Sequence, residues 1–192
     1  MDTIAANFGQ IGGKSDPGSG VGLLALLVIP ALTGCTTPNH SAENAEVVTL
    51  CQALADPKAY DHKLLRISGS MGHGFEGFAL ADSRCPGKSV WLEYGGRIGS
   101  GTIFAGAPSS ARARDQNLVI EGISTSMVYD YEFRKLDSLI RRPNHSVQAP
   151  VTLVGRFFSG DPFENTSDYG GYGHLGMFSL FMIQRVVAVG GD

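Results

Sequence analysis

Several things are scarce in this sequence, and each scarcity narrows what it can do. No apolar run is long enough to cross a bilayer as a helix: Val21 to Leu32 has 12 residues, against the ~20 that a spanning helix needs. Neither sign of charge dominates. The 15 Lys+Arg against 18 Asp+Glu leave a net charge of -3, which gives no general attraction to nucleic acid or anionic lipid. Motifs of catalysis are missing too: there is no G-x-S-x-G, no H-E-x-x-H and no C-x-x-C. The five histidines (His40, His62, His73, His145 and His174) hold no metal-ligand spacing with one another. Phe8 to Ser15 reads FGQIGGKS, close to a phosphate-binding loop, but the first glycine of that motif falls on Phe8 and no strand precedes it. No enzyme signature, metal set or cofactor is therefore expected.

What is present is an ordinary globular composition. The hydrophobic share is 43% and the charged share 17%, too apolar for a disordered chain. A length of 192 residues favours one domain. The 26 glycines imply frequent turns.

The apolar run Val21–Leu32 has the length of a signal-peptide core, and Leu32-Thr33-Gly34-Cys35 follows it directly. This segment resembles the lipobox of bacterial lipoproteins. The resemblance implies a signal peptide over 1–34, diacylglyceryl transfer to the Cys35 thiol, cleavage before Cys35 and acylation of the new amino terminus. The segment before the apolar run departs from the pattern, with Lys14 set against Asp2 and Asp16. Thr36 is not the aspartate that holds such proteins at the inner membrane, so the resemblance implies an outer-membrane anchor facing the periplasm. Removing 1–34 takes away one base and two acids and leaves a net charge of about -2.

With Cys35 set aside, Cys51 and Cys85 are the two remaining cysteines, and an oxidising periplasm lets such a pair form a disulfide. Two unpaired buried thiols are the alternative.

Residues 35–45 are polar and read as a lipidated tether. The domain expected over 46–192 opens with a helix from about Ala42 to Ala55, capped by Ser41, with Val47, Leu50, Cys51 and Leu54 on one face. Strand-like alternation follows at Leu64–Met71, Phe75–Ala81 and Ser89–Tyr94. Gly95–Asp115 reads as a long excursion, Leu118–Ser124 as a strand, Asp130–Arg142 as a helix, and Ala149–Ser159 and Met177–Val189 as the last strands. His73, between two glycines, reads as a turn residue. Short strands at this spacing predict a mainly β (α+β) domain, a small barrel or a sandwich. The run Asp56-Pro57-Lys58-Ala59-Tyr60-Asp61-His62-Lys63 leading into Leu64–Gly69 is similar to the opening of OB-like domains in uncharacterised exported bacterial proteins. That resemblance implies an OB-like barrel with an N-terminal helix and one inserted helix.

Two segments are candidates for binding. Asp161–Phe178 sets Tyr169, Tyr172 and His174 among glycines, and rings with a polar tip suit a binding surface. The plain alternative is a turn whose rings cover one end of the barrel. Arg97, Arg112 and Arg114, with no acid among them, could meet an anion or form a solvated loop. The reading is a membrane-anchored envelope lipoprotein that is a non-catalytic binding or scaffolding module for an envelope protein or component, without nucleic acid. The alternative is an envelope hydrolase using His174 with nearby acids such as Asp168.

Overall fold

The structure is a computed structural model that describes residues 44–74, 77–102, 113–142, 146–160 and 171–190. It is mainly β. Strands β1 (Glu46–Val47), β2 (Leu64–His73), β3 (Phe78–Ala81), β4 (Ser89–Tyr94), β5 (Val119–Ile120), β6 (Ile123–Ser124), β7 (Val147–Phe158) and β8 (Leu180–Val189) are joined by helices α1 (Leu50–Ala55), α2 (Pro57–Tyr60) and α3 (Tyr131–Ile140).

Five strands close a mixed barrel. β2 pairs antiparallel with β3, β3 with β4, β7 with β8 and β7 with β2, and the parallel pair β4–β8 closes the circuit. This is the OB-like architecture expected from the sequence. β2 makes it possible by its length. β7 runs along one whole edge, Leu64↔Arg156 to His73↔Val147, while the other edge takes β3 at Ser70–His73 and the short parallel strand β1 at Leu65–Arg66. Closure needs tilted strands in a staggered register, and the β7–β8 pair shifts register twice, between Thr152/Leu153 and Val154/Gly155, the kind of irregularity that lets a strand bend. Gly155 permits the close approach, since a Cβ there would run into the Met182 carbonyl and the Phe181 ring.

Strict alternation fills the barrel. Leu65 and Ile67 are fully buried while Arg66 and Ser68 face out; Val90, Leu92 and Tyr94 point into the main core, and Trp91 joins a second one. α3 is capped by Asp130, whose side chain accepts from the Phe133 N–H at 3.1 Å, and it buries Phe133, Leu136 and Ile140. It is tied to β8 by Lys135 Nζ donating to the Val189 carbonyl (2.6 Å) and the Val189 N–H donating to Glu132 (3.0 Å).

The chain start differs from the periodic reading. The helix begins at Leu50, not Ala42, because Thr49 and Gln52 form a capping box: the Gln52 N–H donates to Thr49 Oγ1 (3.1 Å) and the Thr49 N–H to Gln52 Oε1 (2.9 Å). Two orphan donors are satisfied there. Val47, placed on the helical face by periodicity, lies instead in β1 and is 77% exposed. The proposed cap Ser41 lies outside the described residues. Asp56 ends α1 and at once caps α2, with Pro57 at its first position. Cys51 on α1 and Cys85 in the β3–β4 turn form a disulfide with Cα atoms 5.6 Å apart.

Leu118–Ser124 is a second correction. It is not one strand but the tight hairpin β5–β6, with Ile120↔Ile123 paired across Glu121-Gly122. His73 is a third: it ends β2 opposite Phe78 rather than forming a turn. Its ring packs edge-on to Phe78, and burial, with help from Arg141, holds the imidazole below its ordinary range. The first residues of the expected third segment, Phe75 and Glu76, lie outside the described residues, and the strands begin later than expected at Phe78 and Leu180.

The described parts of the 95–129 excursion fold back over the outside of the barrel. Leu118 and Ile120 from the hairpin region, with Tyr172, cover the outward side chains Trp91, Phe158, Leu180 and Met182 in a second apolar cluster. Beside it the outward Glu93 of β4 is fully buried. It accepts from the Tyr94 and Ser100 N–H groups and the Ser100 hydroxyl (2.8 Å each), and from Arg114 Nη2 at 3.2 Å. Arg114 also donates to the carbonyls of Tyr94 (3.1 Å) and Ile98 (3.2 Å).

Candidate functional site

The residues that gather polar chemistry lie where two tight turns meet. The first is Asp61-His62, between α2 and β2. His62 has φ +59°, a left-handed conformation that costs a non-glycine residue roughly 1 kcal/mol. The surrounding bonds hold it there: its N–H donates to the Phe157 carbonyl at 2.8 Å, its own carbonyl accepts from the Arg156 guanidinium, and its ring packs edge-on to Phe158. Asp61 is fixed to the same strand end, its Oδ1 accepting the Ser159 N–H at 2.8 Å.

The second turn is the tip of the β5–β6 hairpin. Glu121 and Gly122 have φ +49° and +76°, the pattern of a two-residue turn with both central residues left-handed, for which Asn-Gly is the favoured sequence. Glutamate is a costly residue at that first position. Its carboxylate is engaged at both oxygens: Oε2 stands 2.6 Å from His62 Nε2, and Oε1 accepts the Tyr172 hydroxyl. Asp61 Oδ2 completes the group, 3.8 Å from His62 Nε2. Tyr172 is 7% exposed and its ring lies against Phe158. Burial first, and then the bond to Glu121, push its phenol well above the ordinary range, so it stays protonated and serves as a fixed donor.

Among the described residues three non-glycine residues have positive φ, His62, Glu121 and Leu175, and two of them carry this polar group, where the surrounding bonds over-determine the strained backbone. A comparison of two variants tests the strain. Glu121→Ala loses the carboxylate and keeps the unfavourable left-handed turn; Glu121→Asn loses the carboxylate and relaxes the turn. The asparagine variant is expected to be about 1 kcal/mol more stable than the alanine variant in chemical denaturation. Equal stabilities would mean that Glu121 carries no strain.

Among the residues singled out from sequence, Tyr172 joins this site, by its buried hydroxyl rather than by an outward ring. His174 is exposed on a single 3-10 turn, His174–Gly176, and makes no hydrogen bond or ion pair with the described residues. Of the two described arginines, Arg114 is spent on Glu93, and exposed Arg97 donates from Nε to the Arg114 carbonyl. Cys35, Arg112, Asp168 and Tyr169 lie outside the described residues.

Asp61, His62 and Glu121 were missed from sequence. Histidine spacing could not find them, because Asp61 and His62 are adjacent and Glu121 is 59 residues beyond His62. One signal was present: Glu-Gly between apolar residues, Ile120-Glu121-Gly122-Ile123, where a hairpin turn prefers Asn-Gly. Comparison with protein-family models, with curated proteins and with solved structures finds no match to this chain.

Proposed function

We propose that this chain is a bacterial envelope lipoprotein, anchored by lipid on Cys35, whose OB-like domain is a non-catalytic binding or scaffolding module for an envelope component. The observation that carries the reading is the cysteine pattern. The Cys51–Cys85 bridge accounts for two of three cysteines and suits an oxidising compartment. The third, Cys35, ends the sequence Leu32-Thr33-Gly34-Cys35 after an apolar run of signal-peptide length. Two or more acyl chains on that residue would anchor the protein stably, where one alone holds only marginally.

The binding reading rests on the segment between β7 and β8. Its described end exposes His174, Leu175 (55% exposed) and Met177 (49%) beside the barrel. The outer membrane, facing the periplasm, is the location favoured by Thr36.

The anchor is tested by Cys35→Ser. The variant is expected to leave the membrane fraction on flotation and to lose the acyl mass at its amino terminus. A variant that still floats with membranes overturns the anchor. For the module, chemical cross-linking in native membranes is compared between the unaltered chain and the Tyr169→Ala/His174→Ala pair. A cross-linked partner lost in the pair at unchanged melting temperature supports the loop; a partner retained in full overturns it.

A further inference from the structure

We propose that Asp61, His62 and Glu121 form a binding site for a divalent first-row transition-metal ion, with zinc as its probe. The three donor atoms lie within 4.8 Å of one another. Zinc ligands about 2.1 Å from the ion stand roughly 3–4 Å apart. The separation of His62 Nε2 from Asp61 Oδ2, 3.8 Å, already fits. The 2.6 Å between His62 Nε2 and Glu121 Oε2 is a hydrogen bond whose shared proton an ion would replace, and it need open by only about 1 Å.

The disposition of the other carboxylate oxygens favours a built site over a chance ion pair. Each acid has one oxygen held by a group outside the trio and the other turned toward the imidazole. Asp61 Oδ1 accepts the Ser159 N–H and leaves Oδ2. Glu121 Oε1 accepts the Tyr172 hydroxyl and leaves Oε2. Donors that fix the far oxygen of a ligating carboxylate are the usual outer shell of a metal site. The backbone of His62 is pinned on both sides by β7. Both His62 and Glu121 occupy left-handed positions where asparagine or glycine would be easier, so the fold keeps the side chains that carry lone pairs at a cost to itself.

The donor set selects the class of ion. The imidazole nitrogen turns the preference away from magnesium and calcium, which take oxygen ligands, and toward zinc, copper, iron or nickel; carboxylate oxygens are ligands that zinc also takes. Three protein ligands leave a fourth position open to water or to a partner's side chain. The site lies at the junction of the hairpin with the barrel, so an ion there would cross-link the β5–β6 hairpin to the α2–β2 turn.

The test is zinc titration of the full-length, untagged chain in detergent, by calorimetry and by thermal shift, against the variants His62→Asn and Glu121→Asn. Asparagine accepts the left-handed backbone at both positions, so both variants keep the turn geometry, which the circular dichroism spectrum checks. The unaltered chain is expected to bind one zinc and to melt higher with zinc than with magnesium. Each variant is expected to lose that binding at least 100-fold, and Tyr172→Phe, which frees the outer oxygen of Glu121, to weaken it about tenfold. Absence of stoichiometric zinc binding by the unaltered chain overturns the proposal. So does zinc binding that persists undiminished in folded His62→Asn and Glu121→Asn, which would place the ion on other histidines.

Discussion

Arg114→Ala is expected to lower the stability of the domain by about 3–5 kcal/mol, the cost of breaking a buried ion pair from one side. The magnitude follows from where the partner is left. Glu93 is fully buried on the outer face of β4, and Arg114 itself is only 11% exposed in its side chain. Removing the guanidinium leaves a carboxylate with the Ser100 hydroxyl and two backbone N–H groups as its donors, and no counter-charge among the described residues. It also strips one donor group from the carbonyls of Tyr94 and Ile98. For a chain of this size the loss corresponds to a fall in Tm of roughly 10 °C.

The double variant separates the ion pair from the packing. Glu93→Leu with Arg114→Met replaces both charges by apolar groups of similar length, and buried pairs replaced this way often cost nothing. The double variant is therefore expected to recover most of what Arg114→Ala loses. Denaturant midpoints of the single and double variants give the coupling. A loss below about 1 kcal/mol for Arg114→Ala would mean that water reaches Glu93 and that the excursion is not clamped to β4.

This residue shows what sequence could and could not reveal. Arg114 was visible as one of three arginines in a stretch without acids, and charge density alone makes such a stretch look like an anion site. Its partner was twenty-one residues earlier, on a strand face that alternation marks as outward. Alternation assigns residues to faces correctly here: Val90, Leu92 and Tyr94 inward, Trp91 and Glu93 outward. It does not say that the outward face will be covered by a later segment. The barrel itself was legible because its strands alternate and the Asp56–Lys63 turn leads straight into β2. The start of α1 was not, because Val47 falls in phase with Leu50 and Leu54 by chance and the Thr49–Gln52 box outweighs the period. The Asp61–His62–Glu121 group was hidden for a related reason. A one-strand reading of Leu118–Ser124 turns Glu121 into an exposed strand residue; only the paired register Ile120↔Ile123 puts it at a hairpin tip facing His62.

Replacing both bridging cysteines, Cys51→Ala with Cys85→Ala, is expected to cost about 3–4 kcal/mol. The bridge closes a loop with a sequence separation of 34, and on the chain-entropy view its loss returns that closure entropy to the unfolded chain. The double alanine change avoids leaving a free thiol. A second, local effect should accompany the global one. α1 has six residues, far below the length at which a helix holds in water without tertiary support. Its supports are the capping box, the buried Leu50 and Ala53, and the bridge to the β3–β4 turn. Without the bridge α1 has two of the three, so amide exchange over residues 50–60 should quicken more than exchange in β7 and β8, where ten and eight registered pairs hold the barrel closed. Uniform quickening across all strands would assign the whole effect to the unfolded chain. Quickening confined to 50–60 at an unchanged denaturant midpoint would assign it to the native state, and would leave the barrel's stability to its strand pairing and core alone.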